Sequence, residues 1–153
     1  MAAEKGKGIT PEQLAASNSE DGHQSALYCW AALPETIAAY PELKWLFAIP
    51  NGGLRNPVTA NKLKATGVKR GIMDNCLLVR RGEYAALWIE LKRPKSVSPT
   101  GKKRQAGKIS EDQQPWINQA RSQGHAACVC VGWDVARDMV IHYLNYKGKN
   151  GTS

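Results

Sequence analysis

Long apolar runs are missing. No stretch of the 153 residues approaches the roughly 20 apolar residues that a membrane-spanning helix needs, so no membrane span is expected. The first eight residues are polar and basic with no apolar block behind them. They do not read as a secretory signal, and a cytoplasmic protein is expected. Paired cysteines are missing too. Of Cys29, Cys76, Cys128 and Cys130, none forms a CxxC pair. Cys128 and Cys130 could be half of a thiolate metal site, but a second pair is lacking, so free thiols in a reducing compartment are expected. Phenylalanine occurs once, and no alternation of aromatic and basic residues suggests a platform for stacking single-stranded bases. Trp30, Trp88, Trp116 and Trp133 sit in apolar stripes and read as core. Acids are scarce: 13 against 21 Lys and Arg, a net charge of +8. That excess favours a polyanionic partner, nucleic acid first.

What remains is an ordinary globular composition, 42% hydrophobic and 22% charged, without internal repeats. One domain over residues 17–146 is expected, with loose tails at 1–16 and 147–153. Thr10 and Pro11 can open a short helix within the first tail. Ser17 and Glu20 have capping-box spacing ahead of the stripe Ala26, Leu27, Trp30, Ala31 and Leu33. Glu20 and Gln24 share a face there, and Glu20 can simply complement the helix dipole. Pro34 and Pro41 bracket a short helical piece. Residues 45–49 read as a buried strand, 51–57 as a glycine-rich turn, and 59–65 as two helical turns exposing Lys62 and Lys64. A basic loop with Lys69 and Arg70 follows. Strands at 72–79 and 84–92 flank the turn 80–83 and form a hairpin. Residues 93–108 carry Arg93, Lys95, Lys102, Lys103, Arg104 and Lys108 without one acid. They read as a mobile basic loop, either a linker or a clamp on phosphates. A helix follows over 110–123, then a strand over 126–133. Asp134 caps a last helix whose inward positions include Val135, Met139, Val140 and Tyr143.

The chemistry concentrates in residues 74–92. Leu87-Trp88-Ile89-Glu90-Leu91-Lys92 is an apolar, β-prone run that nonetheless holds an acid and a lysine two residues apart. Alternation puts Glu90 and Lys92 on one face, where a charge pair is costly unless it is used. The hairpin brings Asp74, near the start of its first strand, to Glu90 and Lys92 near the end of its second. Two convergent carboxylates suit Mg²⁺, with the Leu91 carbonyl as a possible third ligand. The cation would activate water and polarise a phosphoryl group, while Lys92 orients the attack and offsets developing charge. The plainer alternative is an ion pair at a strand end.

The ordered motifs Gly71-x-x-Asp74, Ile89-Glu90-Leu91-Lys92-Arg93, Ser110-x-x-Gln113-x-x-Trp116 and Gly124 before an apolar strand resemble the VRR-NUC domain of the PD-(D/E)XK nucleases. Pro50-Asn51-Gly52-Gly53-x-Arg55 and Lys64-Ala65-x-Gly67-Val68-Lys69-x-Gly71 are similar to its short, stand-alone phage and bacterial members. The resemblance implies an α/β, restriction-endonuclease-like fold, a central mixed sheet flanked by helices. It implies Mg²⁺-dependent phosphodiester hydrolysis, with Mn²⁺ able to substitute. Asp74, Glu90, the Leu91 carbonyl and Glu20 would be metal ligands, and Lys92 and Gln113 would complete the catalytic set. Arg55 and the basic residues named above would bind DNA. It further implies a homodimer acting on branched DNA, such as four-way junctions or flaps, in a bacterial cell or a phage-infected host. Met73 departs from the pattern, standing where the family has proline. The competing expectation is a non-catalytic branched-DNA-binding protein on the same fold.

Overall fold

The computed structural model describes residues 8–50 and 57–149. Helices α1 (Pro11–Ala15), α2 (Glu20–Ala31) and α3 (Pro34–Ala39) lead through a short 3-10 turn into strand β1 (Leu46–Ala48). Helix α4 (Pro57–Ala65) precedes strands β2 (Asn75–Leu77) and β3 (Leu87–Lys92). A small ribbon of β4 (Ser96–Val97) and β5 (Lys103–Arg104) follows, then helix α5 (Gln114–Ser122), strand β6 (Ala126–Val131) and helix α6 (Trp133–Asn145). The main sheet runs β1-β2-β3-β6. Its first two pairings are antiparallel, and β3 pairs with β6 in parallel. That arrangement is the expected mixed sheet flanked by helices.

Period-two alternation divides the sheet between two layers. Leu77, Leu87, Ile89, Leu91 and Cys130 point into the main core with Ala26, Leu27 and Trp30 of α2 and Ala136, Val140, Tyr143 and Leu144 of α6. On the opposite face, Met73 and Ala127 meet Ile117 of α5, with Trp88 and Val129 packed alongside. Glu90 and Lys92 belong to this second, thinner layer.

Polar anchors fix α2 against the sheet and against α6. Asn75 is fully buried, and its amide exchanges two hydrogen bonds with the amide of Gln24, at 2.6 and 3.0 Å. The Tyr28 hydroxyl donates to the same Asn75 oxygen at 3.0 Å. His23 Nδ1 accepts from the Trp133 backbone N–H in the first turn of α6, at 3.2 Å. Its Nε2 therefore carries the proton and donates to Asn18 Oδ1, at 2.9 Å. Asn18 in turn donates to the Pro94 carbonyl just beyond β3.

Several expectations give way here. The supposed tail 1–16 contains α1, whose Thr10–Gln13 capping box is complete and whose Leu14 and Ala15 pack on the core. The cap of α2 is Ser19 rather than Ser17, which bonds to the Ser19 hydroxyl instead. Strand β1 is an edge strand with Phe47 half-exposed, not a buried one, and Trp45, half-exposed, belongs to the 3-10 turn before it. Residues 93–108, expected as a mobile loop, fold back through β4 and β5, with Ser98, Thr100 and Lys102 bonded across the turn. Helix α6 starts at Trp133, one residue before its expected Asp134 cap, and Val135 turns outward. Trp30 and Trp133 are core, whereas Trp88 and Trp116 are only half-buried. All four cysteines are free, as expected, but Cys29 and Cys128 are only partly buried.

Burial lowers the His23 pKa below its ordinary 6.5, against a smaller upward pull from Asp134. The unfolded chain therefore takes up this proton first. The His23 contribution is intact above about pH 6.5 and is lost as pH falls toward the folded value. Urea midpoints at pH 7.5 and 5.5 should show wild type losing more stability on acidification than His23→Gln. Equal losses would remove His23 from the anchor.

Candidate metal and phosphodiester site

The register Asn75↔Ile89, Cys76↔Trp88, Leu77↔Leu87, continued by one residue, sets Asp74 opposite Glu90. One glycine and two backbone N–H donors hold the approach. Gly71 has φ +80, and any side chain on it would overlap the Asp112 carbonyl, so the segment before Asp74 lies flush against the turn leading into α5. Ile49 N–H donates to the Asp74 carbonyl at 2.7 Å. The Leu91 N–H donates to Asp74 Oδ2 at 2.9 Å. Within a strand the N–H and C=O of one residue point to the same edge, so the Leu91 carbonyl faces the Asp74 side as well. Met73 is buried against Ile117 and Ala127. A side chain packed under α5 thus anchors the position that proline occupies in the VRR-NUC pattern.

Glu90 has no exposed surface. Its Oε1 accepts from Lys92 Nζ at 2.8 Å and from Gln113 Nε2 at 2.5 Å. Its Oε2 is buried and has no donor among the described residues. The Asp74 carboxylate lies beside it and becomes a hydrogen-bond partner only when one proton sits between the two acids. Burial is the main reason that the Glu90 pKa is pushed up to about 7; Lys92 opposes the shift and Asp74 adds to it. Burial likewise raises Asp74, against the Leu91 N–H and the Lys92 charge. Gln113 reaches Glu90 because it is the N-cap of α5, and its side-chain oxygen also accepts from the Ser110 N–H. The Ser110-x-x-Gln113 spacing is half of a capping box whose glutamine amide is spent on the site.

Two adjacent carboxylates, one with an unsatisfied buried oxygen and a carbonyl on the same edge, fit a hard divalent cation. Mg²⁺ is commonly held by one or two carboxylates, with the remaining positions filled by water and substrate phosphate. No group of three or more His, Cys, Asp or Glu converges among the described residues. Glu20 accordingly does not join the pair. It is exposed, and its Oε1 lies 2.9 Å from where a Cβ on Gly107 would stand, beside the Lys92 side chain. Gly107 itself, bonded to the Arg93 carbonyl, brings the end of the basic segment over Lys92.

The basic residues are distributed as the topology dictates. Lys62 and Lys64 on α4, then Lys69 and Arg70, are exposed on the segment entering β2 at its Asp74 end. Lys95, Lys102, Lys103, Arg104 and Lys108 are exposed on the segment leaving β3 at its Lys92 end. Both segments therefore attach at the end of the sheet that carries the carboxylates. Arg70 is already paired with Asp112 at 3.2 Å on the surface, and Arg93 is half-buried with its Nη1 unpartnered. Arg55 lies outside the described residues.

Sequence reasoning missed the Asn75–Gln24–Tyr28 anchor. The available signals were a polar residue in a strand beside Asp74 and a glutamine on the inward face of α2. Nothing local paired them.

No family model and no curated protein matches the chain. Among solved structures, a chain described as a VRR_NUC domain protein superposes with a TM-score of 0.58 at 20% sequence identity. The match covers 96% of this chain and 98% of that one. The protein is thus an α/β domain with a mixed central sheet flanked by helices. More particularly, its fold is that of the VRR-NUC domain, over nearly its whole length.

Removing Lys92 while Glu90 stays leaves a buried carboxylate without its cation. Lys92→Met should cost about 3 kcal/mol of stability at pH 8. The cost should shrink near pH 6, where Glu90 is protonated. Chemical denaturation of both forms at the two pH values tests this, and a pH-independent penalty would mean that the stem packing of Lys92, not its charge, matters.

Proposed function

We propose that the protein is a Mg²⁺-dependent endonuclease that hydrolyses phosphodiester bonds in branched DNA, such as four-way junctions or flaps. The observation that carries this reading is Glu90: a buried carboxylate with one oxygen unsatisfied, beside Asp74, held by Lys92 and Gln113. The fold shared with a VRR_NUC domain protein supports it. Asp74, Glu90 and the Leu91 carbonyl would hold Mg²⁺ or Mn²⁺, and Glu20 could join only through a change of side-chain position. The cation supplies Lewis-acid polarisation of the scissile phosphate. Lys92, beside the carboxylates, orients the attacking water and offsets negative charge growing on the phosphoryl oxygens. Gln113 fixes the Glu90 rotamer. The exposed lysines and arginines on the two flanking segments hold the backbone through phosphate contacts, which position without reading sequence.

A homodimer suits such a substrate, since two symmetric cuts need two matched sites. A cytoplasmic location is part of this reading. No described helix is long and apolar enough to cross a membrane.

One observation favours a second reading, a non-catalytic binder of branched DNA. Glu90 and Lys92 satisfy one another's charge at 2.8 Å, so they can serve as a structural pair. Cleavage of a four-way junction, a flap, a linear duplex and a single strand, with Mg²⁺, Mn²⁺ or EDTA, separates the two. Metal-dependent cutting of branched DNA should be abolished in Asp74→Ala and Glu90→Ala, with binding retained or tightened as negative charge is removed. Tight junction binding without cutting under any metal would establish the binder instead.

Cation uptake should also report Glu90. Its proton must leave before the carboxylate can bind a metal. Mn²⁺ affinity, read by thermal-shift titration, should rise up to about tenfold per pH unit and level off above about pH 7. Glu90→Gln should remove the dependence. A flat profile in wild type would place the cation elsewhere.

A further inference from the structure

The hairpin end opposite the carboxylates carries a second basic surface, built by Arg81. Its Nη2 donates to Glu42 Oε1 at 2.6 Å, its Nε to the Leu144 carbonyl at 2.8 Å and its Nη1 to the Arg80 carbonyl at 2.9 Å. The turn 80–83 is thereby tied to the end of α6. The chain beyond α6 then folds back onto the same turn. The Tyr146 ring meets Tyr84 with centroids 5.7 Å apart, and its hydroxyl reaches the two Glu83 carboxylate oxygens at 3.0 and 3.1 Å. A Cβ on Gly82 would stand 2.6 Å from the Gly148 Cα, so turn and returning chain touch backbone to backbone.

This packing gathers Arg80, Lys147 and Lys149 around one cleft. All three are exposed, and none has an ion pair among the described residues. The two nearby acids are committed. Glu42 is bound to Arg81, and Glu83 takes the Tyr146 hydroxyl within reach of the Lys149 charge. Residues 150–153, Asn-Gly-Thr-Ser, add no charged side chain. Cations folded together repel one another, so the surface favours a polyanion that shares them. Because they are exposed, they suit a solvated backbone rather than one desolvated phosphate. Leu144 is the one aliphatic side chain among the lining residues and is itself buried, so an acidic protein finds no apolar anchor there.

We propose that this surface is a second contact for the DNA backbone, holding one duplex arm while its branch lies at Asp74 and Glu90. This rests on the reading of the site as acting on DNA, and deepens it. Between Tyr84 at the turn and Glu90 at the centre, β3 and its approach span roughly 20 Å at strand rise. That span corresponds to roughly six base pairs of duplex. The basic segments around the carboxylates seat the branch, and Arg80, Lys147 and Lys149 seat the arm leading from it. Two contacts on one rigid hairpin reinforce each other only when a single arm spans both. The second contact reads no sequence, and selects instead an arm of sufficient length and fitting direction.

The test uses the Asp74→Ala protein, in which cutting is blocked, and long-armed junctions carrying a short block of neutral methylphosphonate linkages. The block is moved outward along each arm, and affinity is measured at each position. A block roughly six to nine base pairs from the branch should weaken binding about tenfold, and blocks farther out should not. Adding Arg80→Gln, Lys147→Gln and Lys149→Gln should abolish that effect and flatten the salt dependence of log affinity by about 2 to 3. An unchanged melting temperature shows the fold intact, and Arg80→Gln alone should give a smaller loss at the same block. A profile that is flat beyond the branch while binding stays tight overturns the second contact and leaves the nuclease reading standing. A flat profile, with poly-glutamate binding that the triple variant loses, overturns it in favour of an acidic protein. A block effect without cutting by the wild type under any metal keeps the contact and removes the nuclease reading. No binding of any DNA overturns the contact.

Discussion

A carboxylate buried without any exposed surface is the constraint around which this molecule is arranged. An isolated ionised acid in that position would neutralise itself or unfold the strand. Glu90 is tolerated because Lys92, two residues on, shares its face, and because Gln113 arrives from α5 to occupy the same oxygen. Each support fixes something larger. Lys92 demands that β3 stay extended to its last residue, which the Gly132 N–H bond to the Lys92 carbonyl enforces from the β6 side. Gln113 demands that α5 begin at one place. Gly71 permits this by letting the segment before Asp74 press against Asp112. The supports stop short of the second oxygen, and Asp74 beside it repels rather than relieves. The local structure is therefore built to keep negative potential in a buried place, which is the opposite of what packing alone would select.

The other face of the sheet carries the rigidity that such a site needs. Asn75 follows Asp74 and points the opposite way, where Gln24 and Tyr28 saturate its side-chain oxygen and Gln24 accepts from its amide. Rotating β2 to relieve the carboxylates would break three hydrogen bonds in the core. His23, one residue before Gln24, ties α2 to the first turn of α6, and through Asn18 to the backbone just past Lys92. The acids on one face are thus held by neutral polar groups on the other, with no extra charge introduced near them.

How much of this could be read in advance follows from the range of each interaction. The hairpin that sets Asp74 opposite Glu90 was legible, because period-two alternation and a short turn are local. The pairing of Glu90 with Lys92 was legible for the same reason. The Ser110-x-x-Gln113 spacing was visible and the resemblance put Gln113 in the catalytic set, but that Gln113 would itself be the N-cap and turn its amide to Glu90 depends on where α5 lands. The partners of Asn75 lie 51 and 47 residues away, and His23 reaches across 110. No local pattern encodes such distances. The tryptophans misled for a different reason. An apolar stripe says that a residue leaves water, not that its layer is complete. Trp88 lies on the sheet face that, among the described residues, one nine-residue helix covers, and Trp116 lies on that helix, so their stripes end in a groove instead of a core.

The +8 charge and the buried acids first look contradictory, and their placement resolves the matter. Positive charge lies on the two segments that flank the site, α4 with its following loop, and the β4–β5 ribbon. The carboxylates lie below the surface between them. A polyanion approaching that end of the sheet meets mostly exposed lysines and arginines, with Glu20 and Asp112 among them, while Lys92 offsets part of the negative charge of Asp74 and Glu90. Once the backbone is seated, the balance reverses. A phosphate brought into the low-dielectric layer sits beside two acids and one lysine, and that arrangement is unfavourable until positive charge is added between them. If the protein acts on DNA as proposed, the same geometry that draws in the backbone by long-range attraction would make occupancy of the centre conditional on a cation. A site with Glu90 replaced by an apolar residue would bind the backbone more simply, and would have no use for one.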